Sequence, residues 1–427
     1  MANPRETALL TLYEIEYNGA YSNMALKDAL ERVSDSRDKA FITQLTYGVV
    51  RRKLTLDYII SKYSKTKLKK LSKFVLLILR MGVYQLYFTD KIPDSAAVNE
   101  SVKLAKRYCG KSAGFVNGIL HSAVRGRDTL EYPKGRIEFL SVKYSFTEEM
   151  VKIFDKLDFC EELLSALNTE PKTTIRLNSL LYDGTEPDGI ESEKSPLYEY
   201  ARTVKGFDVA SSKGYLSGKF IPQDVAAMMA SVALTPKAGD TCIDVCAAPG
   251  GKTTHLAELM QNKGRILAFD IHPHKIEIIK KNAERMGINI IEAECHDAAE
   301  LKEELIGTAD RVLADVPCSG LGIIRRKPDI KWHKENAAEL PILQYRILEN
   351  AAKYLKPGGE LVYSTCTLDR RENEDVICEF VKRNKEYEFV RIELPEPLMR
   401  ENEGYITLYP NIDNTDGFFI SKIKRVM

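Results

Sequence analysis

Two cysteines, each at the end of a strand-like run, are the residues of this sequence best suited to covalent chemistry. Cys318 lies in the run Ala-Asp-Val-Pro-Cys-Ser-Gly (314–320), and Cys366 lies in Val-Tyr-Ser-Thr-Cys-Thr (362–367). A cysteine can attack a ring carbon and so divide one difficult step into two easier ones. Either cysteine alone is also compatible with a small buried residue. Two together, each flanked by small or polar residues, favour a shared chemical role.

A glycine-bearing turn precedes both cysteines in the chain. Residues 244–253 read Asp-Val-Cys-Ala-Ala-Pro-Gly-Gly-Lys-Thr. A P-loop requires glycine at the position of Cys246, and a dinucleotide fingerprint requires a GxGxxG pattern that this run lacks. What remains is a turn of small residues before a helix N-terminus, which lets the backbone approach a ligand closely. The predicted cofactor turn consists of Cys246, Ala247, Ala248, Pro249, Gly250, Gly251 and Lys252.

Three aspartates follow strand-like runs and extend this prediction. Asp270 ends the next strand, where an acid suits a ribose diol; the alternative is helix capping, which Pro273 would also fit. Asp297 follows the third strand and fits either an adenine edge or an ordinary turn. Asp315 is placed to stabilise, as an acid, an adduct formed on a nucleobase. These features predict S-adenosylmethionine as the cofactor.

The combination of an activated methyl donor with two thiols predicts methylation at carbon 5 of a pyrimidine. Carbon 5 is a poor nucleophile until a thiolate adds to carbon 6 and makes carbon 5 an enamine carbon. A base must then remove the carbon-5 proton so that the thiol can leave. A free cysteine has a pKa near about 8.5, so the site has to favour the thiolate.

Three regions with different patterns must position these residues. Residues 1–127 show apolar residues at helical spacing without strand patterns, which predicts an all-helical bundle. Residues 128–215 are rich in turn signals and read as a small α+β connector. Residues 216–427 alternate strand, turn and helix, which predicts an α/β domain with a doubly wound, mostly parallel sheet of the class I methyltransferase type.

The predicted elements of the third region place every motif at a strand end. Strands are predicted at 241–246, 265–270, 288–293, 311–316, 359–364 and 417–423. Helices are predicted at 253–260, 273–286 and 341–355. Ligands of parallel sheets bind at the carboxyl ends of the strands, so the turn, the aspartates and the cysteines should converge there.

Length and composition bound the class of protein. The chain has 427 residues, 44% hydrophobic and 29% charged, with a net charge of +1, which is ordinary for a soluble protein of two or three domains. The start of the chain lacks a basic region followed by an apolar stretch, and the apolar runs are far short of a membrane span. We therefore expect a cytoplasmic protein without a membrane partner.

The remaining cysteines lack metal-binding spacing. The eight cysteines include no C-x-x-C pair, and the six histidines are scattered, so we expect no metal. Cys242, Cys246, Cys295 and Cys378 are interpreted as packing residues, although Cys246 also lines the predicted turn.

A basic run covers residues 51–73. It contains nine Lys or Arg residues and one acid, Asp57. Such a run is typical of a solvated helix face. The alternative is a patch that contacts RNA phosphates.

The motifs at Cys246–Lys252, Asp315–Gly320 and Ser364–Thr367 resemble the signature blocks of the RNA 5-methylcytosine methyltransferases, the NOL1/NOP2/Sun family. The resemblance covers nearly the whole chain. Arg176–Asn178 resembles the connector motif of that family, 220–224 its lead-in, and 324–332 a block typical of its bacterial branch. The helices around 92–102 and 115–118 resemble NusB, an RNA-binding antitermination factor. Val316 and Thr367 depart mildly from the family pattern, and neither change removes a reacting group.

The resemblance implies an activity and roles for individual residues. The fusion with a NusB-like domain is typical of the branch that methylates a specific cytosine of 16S (small-subunit) ribosomal RNA. Cys366 would be the nucleophile, and Cys318 would assist product release, so its loss should trap a covalent RNA adduct. The implied cofactor-binding residues are Cys246 to Lys252, Asp270, Asp297 and Asp315.

RNA recognition and two alternatives complete the expectations. Arg325, Arg326 and Lys327 follow Cys318 and would contact phosphates beside a flipped base; the alternative is a solvated loop. We expect a monomer whose partner is small-subunit ribosomal RNA. One alternative is a transfer RNA cytosine-C5 methyltransferase on the same scaffold. The other is a non-catalytic RNA-binding assembly factor, against which both intact cysteines argue.

Overall fold

The computed structural model describes residues 3–186, 190–205, 209–332 and 338–426. The chain divides into two compact units. The first, here called the helical unit, contains residues 1–169 together with 326–333. The second, here called the sheet unit, contains residues 170–325 and 334–427.

The helical unit confirms the all-helical prediction for the first part of the chain. Its described α-helices are α1 Pro4–Tyr17, α2 Ser22–Glu31, α3 Ser36–Tyr63, α4 Lys73–Phe88, α5 Asp94–Cys109, α6 Ala113–Arg125, α7 Arg136–Tyr144, α8 Glu148–Phe154 and α9 Cys160–Ala166. Apolar side chains of α1 and α3 to α6 form one buried core. Burial of such a stripe from each helix, rather than helix propensity, stabilises a bundle.

Short polar side chains define where several helices begin. Asn3 accepts a hydrogen bond from a backbone N–H of α1, and Pro4 follows at the first helical position. Asp35 accepts from two N–H groups of α3, and Ser72 accepts from Val75 of α4. These caps satisfy backbone donors that have no partner within the helix.

The basic run at 51–73 does not lie on one helix face. Arg51 is buried within α3, and Arg52 and Lys53 are half-buried. The exposed part follows at the end of α3 and in the connection to α4, and it consists of Lys62, Lys65, Lys67, Lys69, Lys70 and Lys73. Solvation of a single helix face therefore describes only part of the run.

The predicted connector is divided between the two units. Helices α7 to α9 belong to the helical unit, whereas the strands that follow belong to the sheet unit. The described strands β1 Thr173–Leu177, β2 Ser192–Lys194, β3 Ala201–Val204 and β4 Phe220–Pro222 form an antiparallel sheet in the order β2-β3-β1-β4. A short helix, α10 Lys213–Leu216, precedes β4.

The main sheet has the doubly wound pattern that the sequence predicts. Its described strands are β5 Thr241–Asp244, β6 Arg265–Asp270, β7 Ile291–Cys295, β8 Ala309–Asp315, β9 Leu355–Thr365, β10 Tyr387–Phe389, β11 Tyr405–Leu408 and β12 Phe418–Arg425. The helices of this region are α11 Val225–Leu234, α12 Gly251–Leu259, α13 Pro273–Arg285, α14 Leu340–Lys353, α15 Glu374–Arg383 and α16 Pro410–Asp413. The strand order is β10-β12-β9-β8-β5-β6-β7, with β11 paired to β12.

The register brings the motif-bearing strand ends to one edge. Strands β5 to β9 pair in parallel, whereas β12 pairs antiparallel with β9, β10 and β11. Asp315 of β8 lies opposite Ser364 of β9, and Asp270 of β6 lies opposite Cys295 of β7. The predicted strand at 288–293 is shifted, because pairing with β6 begins at Ile291.

Two of the cysteines that were expected to pack are exposed. Cys242 is buried in β5, as predicted. Cys295 and Cys378 are exposed, so the prediction that they are packing residues is wrong. Cys295 ends the edge strand β7, and Cys378 lies on the solvent side of amphipathic α15, where a cysteine need not be covered.

The described residues contain neither a membrane-spanning helix nor a cluster of metal ligands. Within those ranges, no helix has the length and apolarity needed to cross a membrane. In the same ranges, no three His, Cys, Asp or Glu side chains are grouped so that they could hold a metal ion.

Candidate active site

The glycine turn connects β5 to α12 at the carboxyl edge of the sheet. Gly250 has a φ of 100°, in the left-handed region that glycine adopts without strain. A Cβ atom at Gly250 would lie 3.4 Å from the Cα atom of Ile279, so the turn also packs closely on α13. The backbone N–H of Ala247 donates to the carbonyl of Phe269 over 2.7 Å and fixes the turn to β6.

A buried carboxylate lies beneath this turn. Asp244 is 0% exposed, and its Oδ2 accepts a hydrogen bond from the hydroxyl of Thr253 over 2.7 Å. Its Oδ1 has no hydrogen-bond partner among the described residues. Burial raises the pKa of Asp244 to about 7, although the Thr253 bond opposes this rise. An unpartnered buried oxygen under a turn free of bulky side chains fits a site that receives a ligand's donor groups.

Arg176 of β1 forms hydrogen bonds with the first turn of α12. Its side chain is fully buried and donates to the carbonyl of Gly251 over 2.7 Å and to Thr254 over 3.1 Å. It also forms an ion pair with Glu258, also buried, at 2.6 Å. Sequence reasoning placed Arg176 in a connector motif and missed this role. The Glu258 carboxylate is 82 positions away along the chain, and no local pattern pairs the two residues.

Asp270 and Asp297 lie at the ends of β6 and just after β7. Asp270 is 8% exposed and accepts from the N–H of His272 over 3.0 Å. Asp297 is half-buried and accepts from the N–H of Ala299 over 2.9 Å. Both carboxylates therefore order their own turns. Each has a second oxygen, so the turn role and the predicted ligand contacts are compatible.

A lysine, an aspartate and a serine form a network beside the cysteines. Lys252 of α12 pairs with Oδ2 of Asp315 at 2.7 Å, and the hydroxyl of Ser364 donates to Oδ1 over 2.8 Å. Burial by itself lowers the pKa of Lys252, but the charge and hydrogen bond of Asp315 outweigh it and raise that pKa. The ammonium group therefore stays charged, and it interacts electrostatically with Cys366.

The two cysteines meet at the ends of neighbouring strands. The Sγ atoms of Cys318 and Cys366 are 3.2 Å apart. The N–H of Gly322 donates to the carbonyl of Cys366 over 2.9 Å and joins the two loops. The hydrogen bond to Cys366, together with burial, raises the pKa of the Cys318 thiol well above its ordinary value. Two thiols at this distance can act on the same small group.

The three basic residues after Cys318 lie in different surroundings. Arg325 is 7% exposed and donates to Asp416 over 2.9 Å, so the structure places it in an ion pair rather than at the surface. Arg326 is half-buried and Lys327 is exposed, and both belong to the helical unit. Solvent exposure increases from Arg325 to Lys327. The positive charge that the three residues share did not predict this difference.

The same segment completes the helical unit. Asp329 accepts from the N–H of Ser22 at the start of α2. The Trp332 indole donates to the carbonyl of Val50 over 2.8 Å, and Lys331 donates to Asn168 over 2.7 Å. Residues 326–333 are thus a structural part of that unit, although they follow the Cys318 loop in the chain.

Comparison with known proteins matches both the N-terminal and the C-terminal part of the chain to described families. Residues 231–424 match the 16S rRNA methyltransferase RsmB/F family, and residues 2–125 match the NusB family. The chain is 38% identical to the probable ribosomal RNA small subunit methyltransferase B of Bacillus subtilis, covering 99% of this chain and 98% of that protein. It is 31% identical to ribosomal RNA small subunit methyltransferase B of Klebsiella pneumoniae, covering 99% and 98%.

Solved structures agree with this assignment. The crystal structure of PH0851 is 28% identical, with a TM-score of 0.81 over 100% of this chain and 99% of that one. A methyltransferase homologue from Pyrococcus horikoshii is 28% identical, with a TM-score of 0.59, and covers 69% of this chain and 100% of its own. The two family matches and the identity above 30% to several curated relatives, each over nearly the whole chain, lead to one conclusion: the chain belongs to the ribosomal RNA small subunit methyltransferase B family and is a methyltransferase with a NusB-type helical domain.

Proposed function

We propose that this protein transfers a methyl group from S-adenosylmethionine to carbon 5 of a cytosine in 16S ribosomal RNA, through a covalent bond between Cys366 and carbon 6. The names of the relatives support the RNA class. The observation that carries the chemistry is the pair of sulfur atoms 3.2 Å apart, with Asp315 and Lys252 beside them.

The residues of the glycine turn are suited to hold the cofactor. We propose that the backbone at Cys246 to Lys252, with the carboxylates of Asp270 and Asp297, binds it, and that Asp315 faces it from β8. The unpartnered Oδ1 of Asp244 supports a ligand at this turn. When bound there, S-adenosylmethionine supplies the electrophilic methyl group that carbon 5 takes up.

Asp315 and Lys252 are placed to handle the base. Each oxygen of Asp315 already accepts one hydrogen bond, and a carboxylate oxygen can accept a second. The exocyclic amine of cytosine is a donor and suits the free positions. The positive charge of Lys252 stabilises negative charge on Cys366 before attack and on the base after it.

The two thiols then divide the covalent steps. The Cys366 thiolate adds to carbon 6, and carbon 5 becomes nucleophilic and is methylated. Cys318, as a thiolate, takes the proton from carbon 5. The electrons of that C–H bond restore the double bond between carbons 5 and 6, the C6–S bond breaks, and Cys366 leaves as a thiolate. Proton transfer by a positioned group typically contributes about 10²- to 10⁴-fold to the rate.

The RNA must present an unstacked cytosine. A base within a helix cannot reach a thiol, so an unpaired or flipped nucleotide is the expected target. We propose that Arg326 and Lys327 contact phosphates of the RNA; Arg325 pairs with Asp416. We further propose that the protein acts in the cytoplasm and as a monomer.

A methyl-transfer assay with radiolabelled S-adenosylmethionine and unmodified 16S RNA tests this proposal. The wild-type protein should label the RNA, and bisulfite sequencing should locate the label at a cytosine. Cys366→Ala should abolish labelling. Cys318→Ala should accumulate a protein–RNA adduct that survives denaturing electrophoresis. The exposed Cys378 supplies the matched control, since Cys378→Ala removes a thiol outside the site.

The alternatives give different results in the same assay. Labelling of transfer RNA but not of 16S RNA would favour the transfer RNA enzyme. No labelling of any RNA would favour an assembly factor. Full activity of Cys366→Ala would contradict the covalent mechanism.

A further inference from the structure

We propose that the dipeptide Glu372–Asn373 is the positioning element of the two thiols, with Glu372 holding the Cys318 loop and Asn373 holding the Cys366 loop. This inference rests on the proposed function, in which both thiols act on one base. Both residues lie directly before α15, and neither was singled out by the sequence motifs.

Glu372 accepts hydrogen bonds from Ser319, the residue that follows Cys318. It is 2% exposed, and its Oε2 accepts from the N–H of Ser319 over 2.9 Å while its Oε1 accepts from the Ser319 hydroxyl. Gln344 of α14 donates both to Glu372 and to the carbonyl of Pro317, each over 2.9 Å. The residues before and after Cys318 are therefore held by one carboxylate and its amide partner.

Asn373 forms hydrogen bonds with the two residues that flank Cys366. It is 1% exposed, and its Oδ1 accepts from the hydroxyl of Thr365 over 2.5 Å. Its Nδ2 donates to the carbonyl of Thr367 over 3.1 Å. Consecutive residues thus hold the two neighbours of each cysteine. Capping of α15 alone would not require hydrogen bonds to both neighbours of each cysteine.

Direct bonds between the loops complete the arrangement. The hydroxyls of Ser319 and Thr367 are 2.7 Å apart, so the residue after each cysteine touches its counterpart. The hydroxyl of Tyr363 donates to the backbone carbonyl of Glu372 over 2.6 Å and fixes the dipeptide to β9. The separation of the sulfur atoms is consequently determined by buried groups that bind the residues beside each cysteine.

The charges around the thiols are asymmetric. Glu372 forms no ion pair among the described residues, so its negative charge is not neutralised by a side-chain cation. That charge acts on Cys318, whereas the ammonium of Lys252 acts on Cys366. The titratable groups that act on Cys318 are Cys366 just after β9, Tyr363 of β9 and Glu372 from the turn before α15. Lys252 of α12 interacts with Cys366 and pairs with Asp315 of β8. The charge of Glu372 therefore favours the protonated form of Cys318 before attack.

Single-turnover reactions on 16S RNA separate the two roles. Samples quenched in denaturant show the covalent band on a gel, whose rise gives the rate of adduct formation and whose decay gives the rate of resolution. Glu372→Gln preserves shape: the new amide nitrogen can take the position of Oε1 and donate to the Ser319 hydroxyl, while the remaining oxygen keeps the donors of Ser319 and Gln344. This variant should resolve the adduct about 10-fold more slowly at its plateau. Its formation rate should stay within about two-fold of wild type, because the Cys366 loop is unaffected.

The pH dependence of the resolution rate distinguishes the charge of Glu372 from a purely structural role, because a structural role would leave the midpoint unchanged. The resolution rate should rise with pH as Cys318 ionises. Removal of the like charge of Glu372 should move the midpoint of that rise about one unit lower. Asn373→Ala should instead slow adduct formation about 10-fold and leave the midpoint of resolution unchanged. Ser319→Ala, which keeps the charge of Glu372, should slow resolution without the pH shift and remains informative if Glu372→Gln folds poorly.

Controls make the failures distinguishable. Glu374→Gln, at the first residue of α15, removes a carboxylate that makes no hydrogen bond to either cysteine loop among the described residues, and it should behave as wild type. If Cys318→Ala traps no adduct, the proposed function fails, and this inference fails with it. If Cys318→Ala traps the adduct but Glu372→Gln resolves it with the wild-type midpoint and rate, the positioning inference alone is overturned.

Discussion

The buried ion pair between Arg176 and Glu258 supports the sharpest stability prediction. Arg176 is 0% exposed and Glu258 is 4% exposed, and their charged groups are 2.6 Å apart. Arg176→Met replaces the arginine with an apolar side chain of comparable length and leaves the glutamate charge without its cation. Glu258 would keep only the N–H and hydroxyl of Ser179, at 3.1 and 3.4 Å.

The magnitude follows from that burial. Removal of one partner of a buried ion pair costs about 3–5 kcal/mol, because an uncompensated charge remains in a low-dielectric interior. A second change, Glu258→Gln, removes the stranded charge and keeps an acceptor for Ser179. The double variant should therefore recover about 2 kcal/mol or more of the free energy of unfolding.

Arg202 provides a matched control in the same small sheet. It is 1% exposed, but the side chain of its partner Glu186 is 41% exposed. Arg202→Met leaves a carboxylate that water can solvate, so its cost should be that of lost hydrogen bonds, about 1–2 kcal/mol.

Urea unfolding followed by circular dichroism measures these differences. The one tryptophan of the chain, Trp332, belongs to the helical unit, so its fluorescence follows that unit separately. Fluorescence follows the helical unit, so a dichroism transition at a different urea concentration reports the sheet unit, which contains Arg176. Arg176→Met should move that second transition to lower urea. Equal losses for Arg176→Met and Arg202→Met would refute the reasoning, as would a double variant no more stable than Arg176→Met.

Three further predictions concern single positions. Burial raises the pKa of Asp244 from 3.8 to about 7; the folded state then binds more protons than the unfolded state between these values, and its stability falls as pH rises through that window. Asp244→Asn should remove this dependence and raise the free energy of unfolding above pH 7 by up to about 4 kcal/mol, while it weakens cofactor binding measured by calorimetry. Gly322→Ala would bring a Cβ atom to 2.0 Å from the carbonyl oxygen of Gly417, so we expect a loss of methyl transfer of about 10-fold or more in the RNA-labelling assay. Asp329→Ala leaves the N–H and hydroxyl of Ser22 without their acceptor and should destabilise the helical unit by about 1–3 kcal/mol, seen by Trp332 fluorescence.

Each of these three has a clear contradicting result. An Asp244→Asn protein whose stability relative to wild type is the same at pH 5 and pH 8 would show that the buried carboxyl does not titrate in this window. Wild-type activity of Gly322→Ala would mean that the Cys318 loop need not stay against β12. An unchanged fluorescence transition in Asp329→Ala would show that residues 326–333 do not stabilise the helical unit.

Much of the candidate site at the carboxyl edge of the sheet was predictable, because it depends on local sequence pattern and on sheet topology. Alternating strands and helices predict a parallel sheet, and in a parallel sheet the carboxyl ends of strands share one edge. Asp315, Cys318 and Cys366 each follow a strand-like run, so their convergence needed no knowledge of side-chain packing. The strand at 265–270 was predicted with its observed bounds for the same reason.

Tertiary structure alone decided which polar groups far apart in the chain pair with one another. Glu372 reaches Ser319 across 53 positions, Arg176 reaches Glu258 across 82, and Trp332 reaches Val50 across 282. Hydrophobic periodicity reports which face of an element is buried, and a motif reports which residues can react. Neither specifies which buried polar group will meet which partner, because that pairing arises only when separate elements pack and each desolvated donor or acceptor has to find a partner within reach.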